Sequence, residues 1–592
     1  MTISKRVNEL RQRMEEHKID AFIIPRADEH QNEYVASSDE RVKYISGFTG
    51  SAATVIISKN KAALFTDGRY TIQAKRQLDE SIFHLCHSVD YPMGTWILQN
   101  LSDKITIGFD PKLHTTRQIE NLKKDLLSKN IIIKPSINLL DLIWTDQPRA
   151  PQKQVFTHHI KYSGKSSSQK RSLIKKILKE NKIDAILISS PENLCWTFNL
   201  RGSDVPMTPI VFGYAIIEKQ GNATLFLHEE KLNSQVRKAL AQDKNLSISN
   251  LSELPKQFKH LTGKKLWLDS QTANVKMQSA AEAVNVSTYL STDPIYLLKA
   301  QKNTTEIKGI KAAHLRDSAA IIKFIKWFMQ TNPSRIDEWT AAKRIEAERK
   351  KLHLFQELSF PTISATGSNA AEAHYQLTQE TAKSLSIGDL FLFDCGGQFL
   401  DGTTDITRVL AVGKPNKEMI HCYTLVLKGH IAIHMAKFPE GTTGQQLDPL
   451  ARQFLWSEGK DFDHGTGHGV GHYLSVHEGP QRISKTSTIP LKVGMVLSNE
   501  PGFYKTDCFG IRIENLMTVK LIKSVKETKQ KRLFGFDILS FVPYDIRLID
   551  KEILSQKEIN WINYYHREVK KRISPLLDSK TKDFLISITP DL

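Results

Sequence analysis

The sequence predicts a chain of mixed α/β and α+β type: two related α/β domains followed by a longer third domain that carries the chemistry. Three observations predict it. A helix-then-strand unit occurs twice, around Lys18 and again around Lys182, with matching junctions Lys18-Ile19-Asp20-Ala21 and Lys182-Ile183-Asp184-Ala185. The residue pattern changes near Lys302, and every candidate for metal chemistry lies beyond Leu390.

The elements follow in order. Lys5 to His17 places Val7, Leu10 and Met14 at helical spacing, and the apolar run Ala21-Phe22-Ile23-Ile24-Pro25 reads as a buried strand. Strand candidates Ala53–Ser58 and Ala62–Thr66 come next. The second copy runs from a helix at Arg171–Asn181 through a strand at Ala185–Ser189 to strands at Ile210–Ile217 and Ala223–Leu227. A period this long is not that of a solenoid and indicates duplication of a domain. The polar stretch Lys161–Lys170 reads as the linker. Domain boundaries are therefore expected at 1–160, 161–300 and 301–540, with a C-terminal helical extension at 541–592. In the third domain, Glu306–Met329, Ile336–Lys351 and Glu418–Ala436 have helical spacing, and short strands separated by glycine turns begin at Leu390.

Composition narrows the function. Nothing in the 592 residues approaches the roughly 18 apolar residues of a membrane helix, and the first ten lack a signal-peptide core. The five cysteines are scattered and never spaced C-x-x-C, which fits a reducing compartment and no disulfide framework. A cytoplasmic protein without membrane attachment is expected. The net charge of +18 could suit an anionic partner, yet the lysines alternate with apolar positions along helices and no nucleic-acid motif is present. A solvated lysine-rich surface, with no nucleic acid bound, is the expectation.

Chemistry concentrates in the last third. Asp394 lies in the apolar run Leu390-Phe391-Leu392-Phe393-Asp394-Cys395, and Asp405 follows eleven positions later in Asp401-Gly402-Thr403-Thr404-Asp405-Ile406-Thr407-Arg408. A hairpin across the glycine turn would bring the two carboxylates together, and a buried aspartate is costly unless paired or bound to metal. Turn capping accounts for Asp401 but not for Asp394. Cys395, beside Asp394, is a second kind of candidate, a nucleophile. Histidines 464, 468 and 472 stand four apart, but Gly465, Gly467, Gly469 and Gly471 alternate with the other residues, so a loop or tight strand is expected rather than a helix. One of the three is expected to bind metal. Glu500 precedes Pro501-Gly502, and Glu514 lies on the alternating run Ile511–Leu516, sharing a face with Arg512. Four carboxylates and one imidazole suit two divalent cations, Mn²⁺ or Co²⁺ with Zn²⁺ possible.

Taken together, these motifs resemble the aminopeptidase P branch of the pita-bread metallopeptidases. The resemblance rests on the order Asp394, Asp405, His468, Glu500, Glu514, on their spacing, and on the words His464-Gly465-Thr466-Gly467-His468 and Gly510-Ile511-Arg512-Ile513-Glu514-Asn515. It extends to Phe360–Gly367 with His374, to Ser46-Gly47-Phe48 and Thr66-Asp67-Gly68-Arg69-Tyr70, and to Asn199–Asp204. It implies two creatinase-like N-terminal α/β domains before a pita-bread catalytic domain, as in the long cytosolic enzymes, and a homodimer. It also implies hydrolysis of the first peptide bond of substrates with proline at position two, by a hydroxide bridging two metal ions, Mn²⁺ foremost.

By the same resemblance Asp394 and Asp405 bind one ion, Asp405 and Glu514 bridge the pair, and His468 and Glu500 complete the second. Glu500 would manage the water proton. His374 and His477 would position substrate and stabilise the oxyanion or the leaving nitrogen, His464 and Tyr504 would line the pocket, and Arg512 would support the metal shell or the proline subsite. His472, Cys395 and Asn499 depart from the expected pattern without removing a ligand. Prolidase, cleaving Xaa-Pro dipeptides, is the alternative enzyme, and a metal-free pita-bread binding protein is the alternative of another class.

Overall fold

The computed structural model describes residues 1–522 and 532–592. Two compact units divide it: residues 1–158 with 165–295, and residues 159–164 with 296–592.

The first unit contains two six-stranded sheets built to one plan. In the first sheet the strands run His84–His87, Ala62–Thr66, Thr54–Ser58, Ala21–Pro25, Thr106–Phe109, Ile132–Pro135. In the second they run Leu246–Asn250, Ala223–Leu227, Tyr214–Glu218, Ala185–Ile188, Lys265–Asp269, Ser287–Ser291. Relative chain order and direction agree strand by strand: antiparallel on one side of the central strand for two pairings, parallel elsewhere. The structure also explains the repeated junction. Helices Ile3–Glu16 and Ser167–Glu180 end two residues before Lys18 and Lys182, which turn the chain at φ 54° and 55°. Asp20 then accepts the Thr106 amide proton at 2.8 Å, and Asp184 accepts that of Lys265 at 2.9 Å. Each aspartate thereby caps the parallel strand beside it. The stretch expected to be a linker is more ordered than its polarity suggests: Ile160–Ser163 forms a helical turn, and Ser166 caps the next helix through a capping box with Gln169.

The second unit holds the domain that carries the candidate ligands. A six-stranded antiparallel sheet runs Phe438–Pro439, Leu533–Ile538, Asn515–Ile522, Val496–Asn499, Gly467–Gly469, Glu478–Ile483. A three-stranded sheet joins Ile363–Thr366, Leu390–Cys395 and Ile406–Ala411. Helices Thr304–Gln330 and Lys417–Met435 contribute Ile322, Tyr423, Val426 and Ile431 to the main core, and the C-terminal helix Gln556–Ile573 adds Ile562, Tyr565 and Val569. The hairpin expected between Asp394 and Asp405 is present but more elaborate. Cys395 pairs with Ile406, while the intervening residues form a second small sheet from Gly397–Phe399, Gly402–Thr403 and Phe355–Leu358. No helix among the described residues is long and apolar enough to cross a membrane.

Candidate metal centre

Four segments deliver the acidic residues, Glu500 among them directly after the strand Val496–Asn499. Asp394 occupies the next-to-last position of a fully buried strand, opposite Thr407. Asp405 stands immediately before the partner strand that begins at Ile406. Glu514 differs from expectation: it is not inside one strand but in the break between Phe509–Arg512 and Asn515–Ile522, which belong to different sheets. The alternation survives the break, because Ile511 and Ile513 are buried in the core while Arg512 and Glu514 turn toward the carboxylates.

The glycine-rich stretch is a loop entering the short strand Gly467–Gly469, as its composition requires. A Cβ on Gly467 would lie 2.1 Å from the Ser498 carbonyl oxygen, so only glycine permits this pairing. His468 Nε2 comes within 3.5 Å of both Asp405 Oδ2 and Glu500 Oε1. Its Nδ1 lies 2.9 Å from the Gly469 carbonyl oxygen, a geometry that puts the ring proton on Nδ1 and leaves Nε2 as a lone-pair donor. Asp405, His468 and Glu514 each offer one ligand atom, all within 4.8 Å of one another.

Polar partners support the set only in part. Arg512 Nη2 donates to Asp394 Oδ2 at 2.6 Å, Thr407 Oγ1 donates to Glu514 Oε2 at 2.8 Å, and Ser498 Oγ donates to Glu500 Oε1 at 3.3 Å. Three further oxygens, Asp394 Oδ1, Asp405 Oδ1 and Glu514 Oε1, are buried with no hydrogen-bond partner. Burial first, then the neighbouring carboxylates, push the Asp405 and Glu514 carboxyls well above their ordinary range. Buried carboxyl oxygens without donors, next to an imidazole lone pair, fit divalent cations.

Around this cluster runs a chain of contacts. His464 Nε2 lies 2.8 Å from the Tyr504 hydroxyl, which accepts from Arg512 Nη1 at 2.7 Å. Arg512 also donates to the Ala373 carbonyl at 3.0 Å, fixing the backbone beside His374. Burial foremost pushes the Tyr504 hydroxyl up to about 12, so it stays protonated as a donor. The His477 ring packs edge-on against His468 with centroids 4.4 Å apart. His472 is buried, and Asn499 donates to the His430 carbonyl at 2.9 Å. Cys395 is no nucleophile: its fully buried thiol receives a hydrogen bond from Arg349 at 3.2 Å and is pushed up to about 12, chiefly by burial. Sequence reasoning missed Thr407 and Ser498, each two residues from a ligand candidate. Period-two alternation puts them on the ligand face, which was the available signal.

Known proteins match this architecture along its whole length. Metallopeptidase family M24 matches residues 308–520, and the C-terminal region of that peptidase family matches 532–592. The creatinase/prolidase N-terminal domain matches twice, at 6–143 and 146–306. The probable Xaa-Pro aminopeptidase P of the fungus Laccaria bicolor is 38% identical over 98% of this chain and 92% of its own. Xaa-Pro aminopeptidase 1 of Dictyostelium discoideum is 37% identical over 98% and 94%. The chain belongs to the Xaa-Pro aminopeptidases of metallopeptidase family M24. It is an enzyme, with two creatinase-like domains before a pita-bread catalytic domain. The crystal structure of X-prolyl aminopeptidase from Caenorhabditis elegans, described as a cytosolic enzyme with a di-nuclear active site, superposes over 100% of both chains with a TM-score of 0.95 and 34% identity. The prolidase of Pyrococcus horikoshii is 26% identical with a TM-score of 0.51, and covers only 64% of this chain.

Proposed function

We propose that this metallopeptidase removes the N-terminal residue from peptides whose second residue is proline, with two divalent ions held by Asp394, Asp405, His468, Glu500 and Glu514. The observation that carries the reading is the group of buried carboxyl oxygens without donors beside the lone pair of His468 Nε2. The oxygen-rich set favours Mn²⁺, with Co²⁺ or Zn²⁺ able to substitute. When bound, such a pair acidifies a water molecule and polarises the scissile carbonyl.

The protein's own side chains complete the work. Glu500, whose side chain at 18% exposure is the most accessible of the four carboxylates, accepts the water proton and can pass it on. His477, against the ligand ring of His468, and His374, beside the Arg512-held backbone of Ala373, supply hydrogen bonds to the developing oxyanion and to the departing proline nitrogen. Tyr504 and His464 form the pocket wall. Arg512 is occupied by Asp394, Tyr504 and the Ala373 carbonyl, which supports a role in holding the metal shell rather than in touching proline. Recognition through such groups suits an Xaa-Pro bond, which has no N–H to offer. The cytosolic setting of the nematode enzyme, together with the free cysteines, supports a cytosolic location.

Mass spectrometry of metal-stripped protein given Arg-Pro-Pro or Ala-Pro, with and without Mn²⁺, tests the proposal. Metal-dependent release of Arg from the tripeptide, with little cleavage of the dipeptide, is expected. Preferential splitting of Ala-Pro would replace it with a prolidase, and no turnover with Mn²⁺, Co²⁺ or Zn²⁺ would overturn it.

A further inference from the structure

We infer that Arg408 and Tyr565 are positioning residues that make the C-terminal helix part of the support of the metal centre; the inference rests on reading Asp405 and Glu514 as ligands. The starting point is the break at Glu514. A residue between two strands has no ladder to hold its backbone, yet a bridging ligand must stand at a fixed distance from its partner. The backbone of Glu514 is held instead by the strand that follows Asp405: its amide donates to the Thr407 carbonyl at 3.2 Å, and its carbonyl accepts from Arg408 Nη1 at 2.6 Å. The same Nη1 donates to the Thr407 carbonyl at 2.8 Å, while the Thr407 hydroxyl holds the Glu514 carboxylate. Arg408 thus ties the backbone of Glu514 to that of Thr407, two residues after Asp405.

Arg408 is itself fixed from behind. Its guanidinium is fully buried, and among the described residues it has no carboxylate at ion-pair distance. Its Nη2 faces Asn515 Oδ1 at 2.7 Å, the Val542 carbonyl at 2.7 Å and the Tyr565 hydroxyl at 2.9 Å, its Nε donates to the Val542 carbonyl at 3.2 Å, and the Tyr544 ring lies 4.7 Å from the guanidinium centre. Tyr565, on the helix Gln556–Ile573, also accepts the Val542 amide proton at 3.2 Å and has carbonyl acceptors at Val542, 2.9 Å, and Ser540, 3.1 Å. The Tyr544 and Trp561 rings stack on it at 4.8 and 5.5 Å. A hydrophobic core would need none of these polar contacts. A planar five-donor fork saturated by carbonyls, an amide and a phenol, with no carboxylate, sets geometry, and lysine cannot reproduce it.

The test is metal retention. Metal-loaded full-length protein and the variants Tyr565→Phe, Arg408→Lys, Val569→Ala and Asp405→Ala are challenged with graded chelator, and bound Mn²⁺ is counted. Val569 is a fully buried core residue of the same helix and controls for loosened packing. Tyr565→Phe and Arg408→Lys are expected to lose metal at about tenfold lower chelator, the size typical of outer-shell partners, with KM for Arg-Pro-Pro at saturating Mn²⁺ unchanged. Retention equal to the parent protein, or a loss no greater than that of Val569→Ala, would overturn the inference. Should the parent protein retain no more metal than Asp405→Ala, the ligand reading itself fails and takes the inference with it.

Discussion

Aspartates do opposite things in the two units. Asp20 and Asp184, at equivalent junctions of the two N-terminal sheets, each accept a backbone amide proton from the neighbouring strand, and both remain in reach of solvent. Asp394 and Asp405 are buried, and each keeps an oxygen with no partner, as does Glu514. The first kind stabilises and the second stores an unmet demand for positive charge. Residue type does not distinguish the two kinds of aspartate here; hydrogen-bond satisfaction does.

Removing one of the unsatisfied carboxylates has the largest expected effect. Asp405→Ala is expected to lower turnover of Arg-Pro-Pro by about a thousandfold or more. It should leave the thermal midpoint of the metal-free protein unchanged or raised, because a buried carboxyl group with an unpartnered oxygen is removed. A fall in the midpoint together with retained activity would reverse the assignment of Asp405 from function to structure.

An orphaned group alone does not make a metal site, and a histidine cluster under the C-terminal helix sharpens the point. Both ring nitrogens of His434 are buried without a partner, its ring stacks on Trp561 at 5.5 Å, and no carboxylate joins it in a ligand group among the described residues. Burial, then the charge of Arg408, pushes His434 and His566 down to about 3. Both are therefore neutral in the fold, and an unfolded histidine, near 6.5, binds protons first as pH falls. Their contribution is intact above pH 6.5 and declines below it, by roughly 2 kcal/mol for each at pH 5. Urea midpoints at pH 7.5 and pH 5 should show this decline, and His434→Phe, which keeps the stack, should flatten it. An equal slope in that variant would show that His434 does not cause the decline.

The smallest effect belongs to the satisfied aspartates. Asp184→Ala should cost about 1 kcal/mol in urea unfolding, the usual worth of such a hydrogen bond. Activity toward Arg-Pro-Pro should stay within about twofold, as for most substitutions remote from a site. A large activity loss would show that the N-terminal sheets act on catalysis through these junctions.

Much of this was legible in the sequence for local reasons. Apolar runs around Asp394, glycine alternation around His468 and the repeated Lys-Ile-Asp-Ala junction each follow from one stretch of chain. The small sheet inserted between Asp394 and Asp405 was not legible, since Gly396, Gly397 and Gly402 announce a turn but not its pairing with Phe355–Leu358. The strand break at Glu514 was hidden because alternation continues through it. The Arg408–Tyr565 contact joins residues 157 positions apart and has no local signature at all.

The most direct test of the central claim is the metal content of the full-length protein after equilibration with Mn²⁺ and removal of free ion, set beside that of Asp405→Ala. Two ions per chain in the parent protein, and a clear loss in the variant, are what the unpartnered carboxyl oxygens predict. No bound metal, or an equal amount in both proteins, would contradict it.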